Sequence, residues 1–425
     1  MDTTDDLEKL AEQCLSSAKA IKSFLKAQDL PSPTFDQNGP TSFPRVPPSL
    51  QQARLDLRAS AKRLHGLMRE PEDFLIHSPL ESIYDVCALR YVVRFDIART
   101  VPVTGSIAYA ELAHKAGVDA NQLQRIIRQT VQTRVFYEPQ PGHVGHTAAS
   151  KLLLNTRVVG ASAYIVDDTF LIASRMVEAL DRWGHGSQEP IEAAFNHAFG
   201  TDKPIFQYYE QETLRRERFS SLMKQIGTMH LMSVDHVATS FNWASLGKCT
   251  IVDVGGSNGH CAVPIARANP QATIVVQDLP EIVQHAQTAD GNIIPPDLQR
   301  QISFMPHDFF QPQPVQGEAY FIRLILHDYS DKYAAKILSA LLPAMKRGSR
   351  IILMEQILPP VGAAPPPIEH FLRTMDLEMW AILNGKERDR DDFAALLEMV
   401  DSRLVIKNVV STLGSSLSVI EVLLE

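Results

Sequence analysis

The chain changes its pattern of hydrophobic and polar positions at about residue 248. Before this point apolar residues recur mostly at intervals of three and four, which predicts helices. After it, short apolar runs alternate with helical segments. The runs lie at Thr250–Val254, Ala272–Val276, Ile302–Met305, Ala319–Ile325, Arg350–Met354, Leu404–Val410 and Leu417–Leu424. This alternation predicts an α/β domain with a mostly parallel, doubly wound sheet. The last two runs have no helix between them and are predicted to form an antiparallel hairpin at one edge.

A second compact pattern lies nearer the N-terminus. Its predicted elements are helices at Ile107–Ala116 and Asn121–Thr133 and strands at Val135–Tyr137 and Val144–Thr147. Helix, turn, helix and hairpin is the outline of a winged helix. Many winged helices bind DNA, but Arg125 and Arg128 are the only base-reading candidates on the second helix. A non-enzymatic regulator that binds nucleic acid is therefore the weaker of two interpretations of this region.

The N-terminal arm is predicted to be a helix over residues 1–29 followed by a proline-rich stretch. Two interpretations stay open. The arm is either a loose tail or a helix that docks on a partner subunit, and the second would bury its apolar stripe. The predicted division is 1–50 for this arm and its linker, 51–210 for a helical and winged-helix dimerisation domain, and 211–425 for a catalytic domain.

Composition and charge narrow the class of protein. Of the 425 residues, 45% are hydrophobic and 21% are charged, as in globular proteins. The net charge of −8 argues against a nucleic-acid partner. No apolar run of about 18 residues predicts a membrane span, and the acidic N-terminus is not a secretory signal. The four cysteines are scattered without a CxxC pair, so we expect reduced thiols, a cytoplasmic location and no metal site.

A glycine-rich turn follows the first predicted strand of the sheet. Gly255 and Gly256 let the backbone approach a ligand closely, and the next helix offers its N-terminal amides. Val254 stands where a dinucleotide-binding GxGxxG motif would have its first glycine, so the predicted ligand is nucleotide-like but lacks a full pyrophosphate cradle. Asp278 ends the second strand, where a carboxylate can bind both hydroxyls of a ribose.

Further polar residues follow the later strands at the predicted carboxyl edge. Asp308 and Phe309 can hold an adenine amine and cover its ring, although a loop acid beside core aromatics gives the same pattern. His327 follows the fourth strand, where a general base is useful, although a lone histidine is more often structural. Glu355 and Glu387 can fix the tautomer of such a histidine; each alone is typical of an ordinary surface glutamate.

Taken together these motifs resemble those of a known family. They are VDVGGSNGH, VVQDLP, HDFF, RLILHDYSD, EQILP and NGKER, in that order. The set is similar to class I S-adenosylmethionine-dependent O-methyltransferases of the plant caffeate and flavonoid type, and most similar to the fungal branch that methylates phenolic polyketides and related secondary metabolites. The resemblance covers roughly residues 80–425. It implies a winged-helix dimerisation domain followed by a Rossmann-like catalytic domain, a homodimer, and S-adenosylmethionine as cofactor.

The resemblance also implies roles for individual residues. The implied cofactor-binding residues are Gly255, Gly256, Asp278, Leu279, Asp308, Phe309, Arg323 and Met223. The implied catalytic residues are His327 as general base with Glu355 and Glu387 beside it, and the implied substrate-binding residues are Met375, Asp376 and Met379. Arg323 stands where plant members usually have lysine, and Ser257–Asn258 replaces a commoner small or glycine-containing pair.

We therefore expect methyl transfer from S-adenosylmethionine to a hydroxyl of a small aromatic metabolite. A rival remains within the same branch, because some relatives are pericyclases that use the bound sulfonium as a charge. His327 flanked by two glutamates favours methyl transfer, since a cyclase has less need of a base. Release of S-adenosylhomocysteine during turnover distinguishes the two reactions.

Overall fold

The computed structural model describes residues 6–228, 230–412 and 414–425. Its contacts divide the chain into two compact units. The first comprises the described part of Met1–Ser174 together with Tyr209–Ile226 and Pro365–Pro367. The second comprises Arg175–Tyr208, Gly227–Ala364 and Ile368–Glu425, less the undescribed positions.

Strands and helices are numbered along the described chain. The strands are β1 (Ile107–Ala108), β2 (Phe136–Tyr137), β3 (His143–His146), β4 (Thr250–Val254), β5 (Thr273–Asp278), β6 (Ile302–Pro306), β7 (Ala319–Arg323), β8 (Arg350–Glu355), β9 (Leu404–Ser411) and β10 (Ser418–Leu424). The helices up to residue 200 are α1 (Leu7–Ala27), α2 (Pro48–Leu67), α3 (Pro71–Leu75), α4 (His77–Arg94), α5 (Ile97–Thr100), α6 (Tyr109–Ala116), α7 (Ala120–Gln132), α8 (Ala148–Leu152), α9 (Thr156–Ala163), α10 (Phe170–Ala173), α11 (Met176–Trp183) and α12 (Ala194–Phe199). The later helices are α13 (Ile205–Gln211), α14 (Thr213–Gly227), α15 (Asp235–Ser240), α16 (Ala262–Ala268), α17 (Pro280–Ala286), α18 (Asp331–Leu341), α19 (Pro366–Leu383) and α20 (Arg390–Val400).

The second unit is built on a seven-stranded sheet in the order β6-β5-β4-β7-β8-β10-β9. Neighbouring strands from β6 to β8 are parallel, whereas β10 runs antiparallel to both β8 and β9. This confirms the predicted doubly wound sheet and its antiparallel hairpin at one edge. The carboxyl ends of the five parallel strands meet at one edge of the sheet, where ligands bind in open α/β folds.

The middle strands of this sheet are covered on both faces. Ile251, Val252, Ile351 and Ile352 are all fully buried, so successive side chains on opposite faces are apolar. One face packs against α18 and α20 through Ile337, Leu338, Leu396 and Leu397. Burial on both faces explains why these strands are continuous apolar runs instead of alternating ones.

The first unit contains a small antiparallel sheet in the order β1-β3-β2, joined through α6 and α7. These elements match the predicted winged-helix outline. The predicted helix at Ile107–Ala116 was wrong at its start, because Ile107 and Ala108 form β1 and pair with Val144 and His143 of β3. The packing of Leu112, Leu123 and Ile127 fills the core between the two helices.

The N-terminal arm is helical, as predicted, over Leu7–Ala27. The Asp6 carboxylate caps this helix by accepting hydrogen bonds from the amides of Glu8 and Lys9. The helix packs along α2 and buries Ile21 and Leu25. Among the described residues, no helix has the length and apolar character needed to cross a membrane.

Candidate active site

The glycine turn after β4 passes very close to the sheet. Gly255 has φ of +69° and Ser257 has φ of +52°. The Gly256 amide donates to the carbonyl of Gln277 on β5 at 3.0 Å. A Cβ on Gly256 would lie 2.6 Å from Cγ of Asp253, so this position accepts no side chain without movement. Both predicted glycines are therefore required by the turn itself.

Asp278 at the end of β5 is joined to this turn by hydrogen bonds. One carboxylate oxygen accepts from the amide of Ser257 and the other accepts from the amide of Leu279, each at 2.8 Å. Burial raises the pKa of Asp278, and the two amide hydrogen bonds oppose that rise. The remaining lone pairs of a carboxylate held in this way can accept from a ligand's hydroxyl groups.

The aromatic segment after β6 lies next to Asp278. The amide of His307 donates to the carbonyl of Asp278 at 2.9 Å. Asp308 accepts a hydrogen bond from the amide of Phe310 at 2.9 Å, which fixes the loop. The ring of Phe309 packs edge-on against Tyr329, with their centroids 6.0 Å apart. The structure thus brings together Asp278 and the segment carrying Asp308 and Phe309.

Asp253 is a candidate that sequence reasoning missed. It lies within β4 and is almost fully buried, and its Oδ2 has no hydrogen-bond partner among the described residues. Burial raises the pKa of Asp253 to about 7, Asp278 adds to the rise and Arg323 opposes it. Arg323 donates through Nη2 to the carbonyl of Met232 at 2.8 Å, while its buried Nε is also unpaired. The sequence feature that could have identified Asp253 is an acidic residue inside an apolar strand just before the glycines.

His327 lies on a short 3-10 turn after β7, Leu326–Asp328. Its Nδ1 is 2.9 Å from Oε1 of Glu387, and the Glu387 side chain is only 1% exposed. Burial lowers the pKa of His327, but Asp328, Glu387 and Glu355 outweigh this effect and raise it to about 10. The hydrogen bond to Glu387 favours the tautomer with a proton on Nδ1, so that Nε2 becomes the acceptor once the ring is neutral.

Glu355 and Asp328 act on His327 in different ways. Oε1 of Glu355 accepts from the amides of Ile325 and Leu326, each at 3.0 Å, so this carboxylate holds the backbone that leads to His327. Burial raises the pKa of Glu355 to about 7. Asp328, which the sequence prediction left without a role, lies 3.4 Å from Nε2 of the ring. The sequence feature that could have identified Asp328 is its position directly after His327.

The predicted substrate-binding residues lie on α19. Asp376 accepts a hydrogen bond from the amide of Glu387 at 3.0 Å, and burial raises the pKa of Asp376. Met375 and Met379 are half-buried on the same helix. Met223, predicted to bind the cofactor, lies on α14 in the first unit and is 42% exposed.

Comparison with known proteins decides the family. A family model described as an O-methyltransferase domain matches residues 180–400. O-methyltransferase VdtC of Byssochlamys spectabilis is 35% identical over 425 aligned residues, which cover 98% of this chain and 97% of that protein. The chain belongs to the O-methyltransferase family. It is an S-adenosylmethionine-dependent O-methyltransferase, as the motifs predicted, and its fungal relatives support O-methylation of a secondary metabolite.

Solved structures agree on the fold of this O-methyltransferase. The crystal structure of OxaC in complex with SAH and oxaline has a TM-score of 0.75 and 22% identity, and covers 99% of each chain. A structure described as "A Pericyclic Reaction enzyme" has a TM-score of 0.70 and 21% identity, and covers 97% of this chain and 100% of its own. These matches show a shared class I methyltransferase fold, and at this identity they carry no further argument about the reaction.

Proposed function

We propose that the enzyme methylates a hydroxyl group of a small aromatic secondary metabolite, with His327 as the general base. The observation that carries this proposal is the cluster at the carboxyl edge of the sheet in which half-buried His327 and Asp328 lie beside buried Glu355 and Glu387. Transfer of a methyl group to a phenol needs a nearby acceptor for the phenolic proton. The imidazole held by Glu387 is the side chain best suited to be that acceptor.

The residues of the glycine turn fit S-adenosylmethionine, which supplies an electrophilic methyl group when bound. Buried polar atoms without partners among the described residues include Asp253 Oδ2, Arg323 Nε and His307 Nε2. Such atoms are costly to bury unless a ligand satisfies them. Asp278 would accept from the ribose hydroxyls, with Leu279 beside it. Asp308 and Phe309 would contact the adenine ring, and Gly255 and Gly256 would lie against the methionine portion.

The proton-transfer step requires a neutral His327. Glu387 keeps the proton on Nδ1, so Nε2 can accept the phenolic proton while the hydroxyl oxygen attacks the methyl group. The carboxylates around the ring then stabilise the imidazolium that forms, because each carries negative charge close to it. Asp328, 3.4 Å from Nε2, lies where it can stabilise the protonated ring.

The proposed acceptor surface is apolar with one carboxylate. Met375 and Asp376 lie four and three positions before Met379 on α19, and Asp376 meets Glu387 through its amide. Methionine side chains pack well against flat apolar rings. This supports an aromatic substrate beside the His327 cluster. Met223 on α14 is a proposed cofactor contact on the strength of the family resemblance alone.

We also propose a homodimer. An apolar surface in the first unit covers the end of α3 and the first half of α4. Its side chains are between 48% and 80% exposed and belong to Phe74, Leu75, Ile76, Leu80, Ile83 and Tyr84. Exposed apolar side chains this close together along the chain support an interface. A second copy of the chain is the proposed partner, as the family resemblance implies.

The test of the proposed base is the pair of variants His327→Ala and His327→Gln. Both should bind S-adenosylhomocysteine as the wild type does, because His327 is not one of the proposed cofactor contacts. Turnover of a phenolic acceptor should fall by about two to four orders of magnitude, the usual contribution of a positioned base. Calorimetry measures binding and mass spectrometry measures the methylated product. Full turnover in His327→Ala would contradict the assigned role.

A further inference from the structure

A buried arginine joins the two segments that carry His327 and Glu387. Arg388 is 1% exposed and directly follows Glu387. Arginine is rarely buried unless its donors are paired. The guanidinium of Arg388 donates through Nη1 to the carbonyl of Leu326 at 2.8 Å and through Nη2 to the carbonyl of Tyr329 at 2.8 Å. These two carbonyls bracket the turn that carries His327.

The same guanidinium also binds its own segment and a neighbouring helix. Nη1 donates to the carbonyl of Lys386 at 3.2 Å, and Nε donates to Asp331 at the start of α18 at 2.9 Å. Nη2 forms an ion pair with the same Asp331 carboxylate at 2.8 Å. A guanidinium has five N–H donors in a fixed plane, and four of those of Arg388 make hydrogen bonds.

The backbone of Arg388 is itself fixed to the sheet. Its carbonyl accepts from the amide of Leu358 at 3.0 Å, and the residue forms a parallel bridge with Ile357, just beyond β8. The amide of Lys386 donates to the carbonyl of His327 at 3.0 Å. The side chain of Arg388 therefore extends from an anchored segment onto the turn that carries His327.

We infer that Arg388 is a positioning residue that sets the contact between His327 and Glu387. This inference rests on the proposed role of His327. A guanidinium that binds carbonyls on both sides of the His327 turn, and one on the Glu387 segment, fixes the separation of the two segments. The 2.9 Å contact between Nδ1 and Oε1 depends on that separation. The hydrogen bonds and ion pairs of Arg388 go to none of the proposed substrate-binding or cofactor-binding residues.

The variant Arg388→Lys tests this inference. Lysine keeps the charge but concentrates its donors at one nitrogen, so it cannot span the carbonyls of Leu326 and Tyr329. The contact between His327 and Glu387 should loosen, and the pKa of His327 should fall by about one unit or more, because a more distant carboxylate favours the imidazolium less. The other groups that face the ring, Asp328 and Glu355, stay in place.

The readout is an NMR titration of protein labelled with ¹³C-histidine. The chain has 14 histidines, and the signal of His327 is assigned as the one missing from His327→Gln. Arg390→Lys, an exposed position in the same segment, is the matched control and should leave the titration unchanged. We also expect the alkaline limb of kcat/KM for Arg388→Lys to move to lower pH by about one unit, with affinity for S-adenosylhomocysteine retained.

The outcomes separate this inference from the proposed function. A purely structural arginine would lower the melting temperature but leave the pKa of His327 in the folded protein unchanged, and that result overturns the inference. If Arg388→Lys fails to fold, Asp331→Asn is the second variant, because Asp331 pairs with the same guanidinium and is 35% exposed. It should also lower the pKa of His327. The titration needs no turnover, so it remains decisive even if His327→Gln proves fully active.

Discussion

The variant Glu387→Gln probes the charge that holds His327. Two unit charges about 4 Å apart at an effective dielectric constant of about 20 attract by about 4 kcal/mol, or about three pKa units. Glutamine keeps an oxygen that can accept from Nδ1, so mainly the charge is lost. Glu387 also raises the pKa of Asp328 and of Glu355, so its loss lets these two carboxylates ionise more fully. We therefore expect the pKa of His327 to fall by about two units.

The assay is the pH dependence of kcat/KM. In the wild type the pKa of His327 lies at about 10, so the base form grows as the pH rises and kcat/KM should increase into the alkaline range. In Glu387→Gln this limb should move to lower pH by about two units. Ionisation of the phenol adds a limb that is common to both proteins, so the difference between them reports His327. Glu398→Gln, an exposed position on α20, is the control. An unmoved limb, or one displaced upward, would refute this reasoning.

Three further substitutions test other parts of the site and surface. Asp278→Ala should weaken S-adenosylhomocysteine binding about tenfold to a hundredfold in calorimetry, because charged hydrogen bonds are lost; unchanged affinity would exclude Asp278 as a contact. Gly385→Ala should lower kcat and cost about 1–3 kcal/mol of unfolding free energy in urea, because its Cβ would lie 2.3 Å from the carbonyl of His327; wild-type values for both would contradict this packing. Leu80→Glu should raise the dimer dissociation constant in light scattering on dilution, since a charge is costly in an apolar interface; an unchanged constant would remove α4 from the interface.

The sheet was predictable because its strands carry their signal locally. Buried parallel strands appear as continuous apolar runs, and five such runs became β4 to β8, while the last two runs became the antiparallel β9 and β10. For example, the run predicted at Ala272–Val276 became β5 over Thr273–Asp278, and Asp278 ends this strand as predicted. The strand at Ile107–Ala108 was missed because it exists only through pairing with β3, which no local pattern encodes.

The site was predictable for residues that lie at the carboxyl end of a parallel strand or just after it. Asp278, His327 and Glu355 belong to this class, because carboxyl ends of parallel strands share one edge. The hydrogen bond from Arg388 to the carbonyl of Leu326 was not predictable. It joins residues 62 positions apart through a backbone carbonyl, and every residue has one. The position of Glu355 was predictable, but its hydrogen bonds with the amides of Ile325 and Leu326 were not, because they depend on the local turn.

The most direct test of the proposed reaction is mass spectrometry of the purified enzyme with a panel of phenolic polyketides and S-adenosylmethionine carrying a deuterated methyl group. We expect a product heavier by one deuterated methyl group, with one S-adenosylhomocysteine released for each product. A substrate that is rearranged without any change in mass, and without release of S-adenosylhomocysteine, would contradict methyl transfer and favour the pericyclase interpretation.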